Sequence, residues 1–231
     1  GLIHSITAVK FNKAKTREAH EYNCRAVDLL RDLVTTLKLD CDYEHNGFLM
    51  VSTCKKHQQR MEREYEFVTK KLGIGEIEWI DERELKSRVD SPIYMGGAWW
   101  EPRTGILNPA KLAWSWKKVI EQMGVQIYEN TPVEELARDG RRYSLKTPDG
   151  TIKADKVVLA TNAWSHLFAP TKRKQVPVWT YIVLTEPLKK EHFEKIGWKK
   201  REGIEDFRDL VHYYRLTADN RILLGGRDVG I

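Results

Sequence analysis

Cysteine is scarce in this chain: Cys24, Cys41 and Cys54 are the only three in 231 residues. So small and odd a number excludes a full disulfide framework and fits reduced thiols in a cytoplasmic protein. Long hydrophobic runs are missing too. No apolar stretch approaches the ~20 residues of a membrane-spanning helix, so no membrane span is expected. Residues 1–5 lack the basic-then-apolar layout of a secretion signal. Cys41, His45, Cys54 and His57 have the composition of a zinc quartet. However, residues 47–53 between the two pairs read as a strand, and at ~3.3 Å per residue it holds the pairs ~20 Å apart. No metal site is expected. Neither a nucleophile triad nor a pair of catalytic carboxylates stands out.

What is present is charge and a normal globular share of hydrophobic residues, 41%. Lys and Arg number 39 against 33 Asp and Glu, a net charge of +6. The basic clusters Lys172-Arg173-Lys174 and Lys199-Lys200-Arg201 are short and carry no nucleic-acid motif. A solvated surface is the simpler reading, and an anionic substrate or cofactor also suits the sign. The length allows one large domain or two small ones. The start at Gly1 and the end at Ile231, just past a glycine-rich strand end, read as an excerpt of a longer protein.

Tyr22, Ala26, Leu29, Leu30, Leu33, Val34 and Leu37 recur at helical spacing and predict an amphipathic helix over about 14–38. Residues 47–52 read as a buried strand. Met61, Tyr65, Val68 and Leu72 mark a second helix closed by Gly73. After a short strand at 77–80, Asp81 and Glu84 have capping-box spacing. Extended structure resumes over 94–100, with Gly96-Gly97 as a candidate bulge. Asn108-Pro109 opens the clearest helix, with Leu112, Ala113, Trp116, Val119, Ile120 and Met123 on its apolar face and Gly124 at its end.

A short strand at 125–128 follows, then strands at 142–147 and 151–155 around a Pro148-Asp149-Gly150 turn. Residues 156–160 are a near-continuous apolar run, the pattern of a parallel strand covered on both faces. Ligands of open parallel sheets sit where the strands' carboxyl ends stop. The turn Thr161-Asn162-Ala163-Trp164 is therefore the expected cofactor position, and with the helix after Asn108 it predicts half of a dinucleotide cradle. Residues 176–185 are rich in β-formers, 189–209 are polar and partly helical, and 210–216 pairs with 221–225 as a hairpin. Two textures result: an α/β nucleotide-binding layout over about 105–170, and strand-rich stretches at 40–100 and 172–227 that join in one antiparallel sheet.

A set of short strings in a fixed order carries a resemblance. It runs from Gly105-Ile106-Leu107-Asn108-Pro109 through Gly124-Val125-Gln126-Ile127-Tyr128 and Thr131-Pro132-Val133 to 154–160 and Ala163-Trp164. It continues through Val176-Pro177-Val178 and Leu184-Thr185-Glu186-Pro187-Leu188. In this order the set resembles the flavin-dependent amine and amino-acid oxidases related to D-amino-acid oxidase, glycine oxidase and sarcosine oxidase. Residues 213–226 are most similar to the γ-glutamylputrescine oxidase branch. The Gly-x-Gly-x-x-Gly turn that holds the FAD pyrophosphate in such proteins is absent; Gly73-Ile74-Gly75 is the nearest string. The family's closing glycine-rich flavin contact is missing as well.

The resemblance implies a partial FAD-binding Rossmann-like domain plus an antiparallel-sheet substrate domain, an α/β chain with an α+β part. Its divisions are a helical segment at 1–39, substrate-domain parts at 40–104 and 172–231, and an FAD-binding part at 105–171. It implies that Val133, Thr161, Asn162, Ala163 and Trp164 lie along FAD. Alternatively, Val133 is a core strand residue and the turn a plain helix cap. Tyr213 and Tyr214 match the strand that supplies a substrate-facing tyrosine, and strand alternation lets only one of them face the cavity. Trp99, Trp100, Trp179 and Tyr181 line an apolar chamber or belong to ordinary core. Arg227 pairs with a substrate carboxylate or is solvated.

The implied reaction is oxidation of the C–N bond of a small-molecule amine or amino acid: hydride to flavin, imine hydrolysis, and peroxide from oxygen. The alternatives are a flavin dehydrogenase with a quinone or protein acceptor, and a fragment that does not catalyse. Without the glycine-rich turn, weak FAD binding by this chain is expected.

Overall fold

The computed structural model describes residues 8–176 and 180–226. They fall into two units, one formed by residues before 120 together with those from 180 onward, the other by 120–179.

In the first unit, helix α1 (Lys13–Thr36) starts at Asn12, whose side chain accepts from the Lys15 amide at 2.8 Å. The predicted helix is there, but its stripe is only partly covered. Tyr22 and Leu29 are exposed and Thr16 is its buried residue. Helix α2 (Lys55–Glu66) continues as a π-helical turn at Phe67–Lys71, and Gly73 follows at positive φ. Helix α3 (Glu82–Arg88) is capped by Asp81, which accepts from the Glu84 amide at 2.7 Å. The Glu84 carboxylate does not complete the box; it takes the Arg88 guanidinium. Helix α4 (Pro109–Gln122) is capped by Asn108, which accepts from Ala110 and Lys111 amides at 3.1 and 3.2 Å. Helix α5 (Lys190–Ile196) lies in the polar stretch.

Seven strands form one sheet: β1 (Phe48–Val51), β2 (Glu78–Ile80), β3 (Ala98–Glu101), β7 (Tyr181–Leu184), β8 (Gly203–Asp206), β9 (His212–Leu216) and β10 (Ile222–Gly226). Their order is β2-β3-β1-β8-β9-β10-β7. As expected, the sheet draws on two separate stretches of chain. It is not wholly antiparallel, because β8 joins β1 in parallel and so links the two stretches. The sequence reading missed β8, since Gly203-Ile204-Glu205-Asp206 offers one apolar side chain and no alternation.

Each face of the sheet has its own core. On one, Leu49, Val51, Ile204 and Leu216 pack with Ile80, Ala98, Leu85, Val89 and Trp198, and Phe193 and Ile196 of α5 lie against them. On the other, Met61, Val68 and Leu72 cover Trp99, with Met50 and Trp79 beside them.

The second unit contains a three-stranded meander of β4 (Glu135–Asp139), β5 (Arg142–Thr147) and β6 (Gly150–Ala154). The hairpin around Pro148-Asp149 is where the turn residues put it. Two expectations are corrected here. Residues 125–128 are not a strand, and neither are 156–160, where Val158 is 87% exposed. A strand's amides and carbonyls need a neighbour to pair with, and among the described residues no strand lies beside either run. Apolar composition without such a neighbour does not make a strand.

Among the described residues no helix is long and apolar enough to cross a membrane.

Candidate functional site

One residue from each strand forms a row across the whole seven-stranded sheet: Trp79, Trp99, Met50, Glu205, Tyr213, Gly225 and Ile182. Directly opposed residues point to the same face. The first three are covered by the helical cluster that includes Met61 and Val68. Beyond them the row opens, and Ile182 on the edge strand β7 is 59% exposed. Tyr213 lies across Gly225. A Cβ at Gly225 would overlap the tyrosine ring, 2.6 Å from its hydroxyl oxygen, so glycine is what lets the ring lie against β10.

Arg215, two residues along β9, faces the same way as Tyr213. Its Nη1 donates to the Leu107 carbonyl. Its Nε is buried with no hydrogen-bond partner. Desolvation lowers its pKa, partly offset by the Glu44 and Asp42 carboxylates. Glu44 itself is held by Arg201 through a fork of 2.7 and 3.1 Å. On the same face Glu101 pairs across from Phe48. Burial raises its carboxyl pKa and the nearby Glu205 adds to the effect, against the Thr104 hydroxyl.

Tyr214 points the opposite way. Its hydroxyl shares a 2.7 Å hydrogen bond with Tyr94, and its ring meets Trp198 edge-on at 6.2 Å. Asp206 lies on that face, 2% exposed, accepting from the His212 amide at 3.1 Å and pairing with Arg208 at 2.9 Å. The pair of tyrosines singled out in the sequence is thus split between the two faces of the sheet. Trp99 and Trp100 are split in the same way, Trp99 under the helical cluster and Trp100 beneath the Arg88 guanidinium at 4.3 Å. They do not line a common chamber. Tyr181, opposed to Gly226, is on the Tyr214 side and 66% exposed. Trp179 and Arg227 lie outside the described residues. Sequence reasoning passed over Arg215, although its spacing of two from Tyr213 on a strand carries the signal.

In the second unit, Val133 is half-buried in an extended stretch just before β4. Thr161 precedes a 3₁₀ helix at Asn162–Leu167 but makes no side-chain cap; its hydroxyl meets that of Ser165 at 2.8 Å. Asn162 sits at φ 42, Ala163 accepts from His166 Nδ1 at 2.6 Å, and Trp164 is exposed. A pyrophosphate cradle requires a strand that delivers a helix N-terminus to the phosphates. Here the preceding run is exposed coil, so the expected half-cradle is not formed. The described residues do not fit the FAD pyrophosphate by themselves.

Comparison with known proteins supplies what local geometry does not. The family profile described as FAD dependent oxidoreductase matches residues 1–231. The chain is 28% identical to the gamma-glutamylputrescine oxidoreductase of Escherichia coli, over 86% of its own length and 46% of the relative's. It is 26% identical to a probable oxidoreductase, OrdL, of Haemophilus influenzae, over 91% of its own length and 49% of the relative's. It thus spans about half the length of these curated relatives. Among solved structures, glycine oxidase from Geobacillus kaustophilus superposes with a TM-score of 0.69 at 21% identity, covering 87% of this chain and 54% of that one. L-proline dehydrogenase from P. horikoshii gives the same TM-score and identity, covering 89% and 54%. These likenesses establish the fold class, an α/β chain with a partial Rossmann-like part and a mixed, largely antiparallel sheet. With its whole length matched, the chain belongs to the FAD-dependent oxidoreductase family.

Proposed function

We propose that this chain is the substrate-holding part of an FAD-dependent oxidoreductase that oxidises the C–N bond of an amine or amino acid. The observation that carries this reading is the open end of the row on the seven-stranded sheet. There Tyr213, Glu205 and Arg215 share a face that, among the described residues, lies beyond the helical cluster. Arg215 brings a guanidinium whose Nε has no hydrogen-bond partner, a group suited to a carboxylate, the Tyr213 hydroxyl is a donor and acceptor on the same face, and Glu205 adds a carboxylate to it. An amino acid carries both charges and an amine one.

This chain's proposed contribution along the cofactor is Val133 with Thr161, Asn162, Ala163 and Trp164. Because these residues form no cradle alone, the 231-residue chain is expected to bind FAD weakly and to purify colourless. Tight, stoichiometric flavin on it would overturn that half of the reading. The other half is tested in the whole protein that contains this chain, by turnover on a panel of amines and amino acids. Tyr213→Phe and Arg215→Met should each raise KM or lower kcat, while Tyr214→Phe acts through stability. Unchanged kinetics in both of the first two would sink the site. Peroxide release with oxygen consumption distinguishes an oxidase from a dehydrogenase.

A further inference from the structure

Three side chains of metal-ligand chemistry, two on α1 and one in a loop, converge in the first unit. His20 and Cys24 are four residues apart on α1 and so share one side of the helix. Glu76, in the loop after the π-helical turn, reaches the same point. His20 Nε2 lies 3.4 Å from Cys24 Sγ, and Glu76 Oε2 lies 3.8 Å from that sulfur. One ligand atom from each of the three fits within a 4.8 Å spread. Zinc–nitrogen, –oxygen and –sulfur bonds of about 2.0–2.3 Å in a tetrahedron require donor–donor edges of roughly 3.4–3.7 Å. The two edges at the Cys24 sulfur, 3.4 and 3.8 Å, bracket that range, and the His20–Glu76 edge lies within 4.8 Å.

Two surrounding features support a cation. The other oxygen of Glu76 accepts from Arg103 at 2.6 Å, and Arg103 is bonded in turn to Asp28 of α1 at 2.7 Å. A ligating carboxylate is normally oriented by such a neighbour. Asp28, which Arg31 also meets at 3.3 Å, offsets part of the Arg103 charge, and a bound dication would displace the Cys24 proton, so that the thiolate and the Glu76 carboxylate neutralise it. Glu76 is half-exposed, so the fourth position is open to water or another ligand.

We propose that His20, Cys24 and Glu76 form a binding site for a borderline-soft divalent cation, zinc by the chemistry of the set. The trio is not the quartet weighed in the sequence: Glu76 is distant along the chain from the other two, and only folding brings it to them. The ion fastens α1, whose one buried residue is Thr16, to the loop that leads into β2.

Cobalt(II) titration of the 231-residue chain, freed of metal by chelator, tests this. One equivalent should give a thiolate-to-cobalt charge-transfer band that zinc displaces, and zinc should raise the melting temperature. Cys24→Ser should abolish the band, Cys41→Ser should keep it, and His20→Ala and Glu76→Ala should each weaken binding about tenfold or more. Circular dichroism of each variant checks that it has folded. No band, a band that survives Cys24→Ser, or unchanged affinity in His20→Ala and Glu76→Ala would each overturn the site.

Discussion

Tyr94 and Tyr214 share a 2.7 Å hydroxyl–hydroxyl hydrogen bond beneath the helix-covered face of the sheet. Removing one hydroxyl leaves the other buried without its partner. Tyr214→Phe is therefore expected to destabilise the chain by about 1–3 kcal/mol, read by urea unfolding, and Tyr94→Phe by a similar amount. The double variant should cost less than the sum of the two. Full additivity would show that the bond does not exist.

The same pair gives a pH dependence. Burial raises the Tyr94 pKa to about 12, and burial with the neighbouring Tyr94 raises that of Tyr214 as well. A phenol is neutral when protonated, so the folded state holds these protons more tightly than the unfolded chain. That stability is complete below the unfolded value of about 10 and is lost as pH rises through the folded one. The stability advantage of the native chain over a Tyr94→Phe, Tyr214→Phe double variant should shrink by roughly 1–2 kcal/mol between about pH 9 and 11. An advantage that does not change over that window would contradict the assignment.

Gly225 is expected to tolerate no side chain while Tyr213 stands over it. Gly225→Ala should cost about 1–3 kcal/mol by overpacking. In a Tyr213→Ala background most of that cost should vanish, since the two residues are coupled. An equal cost in both backgrounds would mean that the ring is not what the methyl meets.

Arg88 lies between Glu84 and the fully buried Glu202, 3.5 Å from the latter, and over the Trp100 ring. Arg88→Met alone strands the Glu202 carboxylate and should cost about 3–5 kcal/mol, whereas Arg88→Met with Glu202→Gln should recover much of it. Thermal unfolding of the three chains decides. A single variant as stable as the native chain would remove the ion pair from any account of the core.

By itself the sequence determined whatever depends on near neighbours along the chain. The helix after Asn108 begins and ends where its cap, proline and Gly124 put it, because these groups satisfy or release backbone donors within a few residues. The hairpins at Pro148-Asp149 and 217–220 were legible for the same reason, as was the alternation that divides Tyr213 from Tyr214. Only the tertiary structure decided which of the two tyrosines meets Tyr94 and which lies open over Gly225. That depends on α3 and α5 packing on one face of the sheet and not on the far end of the other. It also decided that the polar segment at β8 becomes the parallel partner of β1, while the apolar run at 156–160 stays out of any sheet. Strand pairing needs a neighbour distant in sequence, and hydrophobicity along one segment carries no information about whether that neighbour is there.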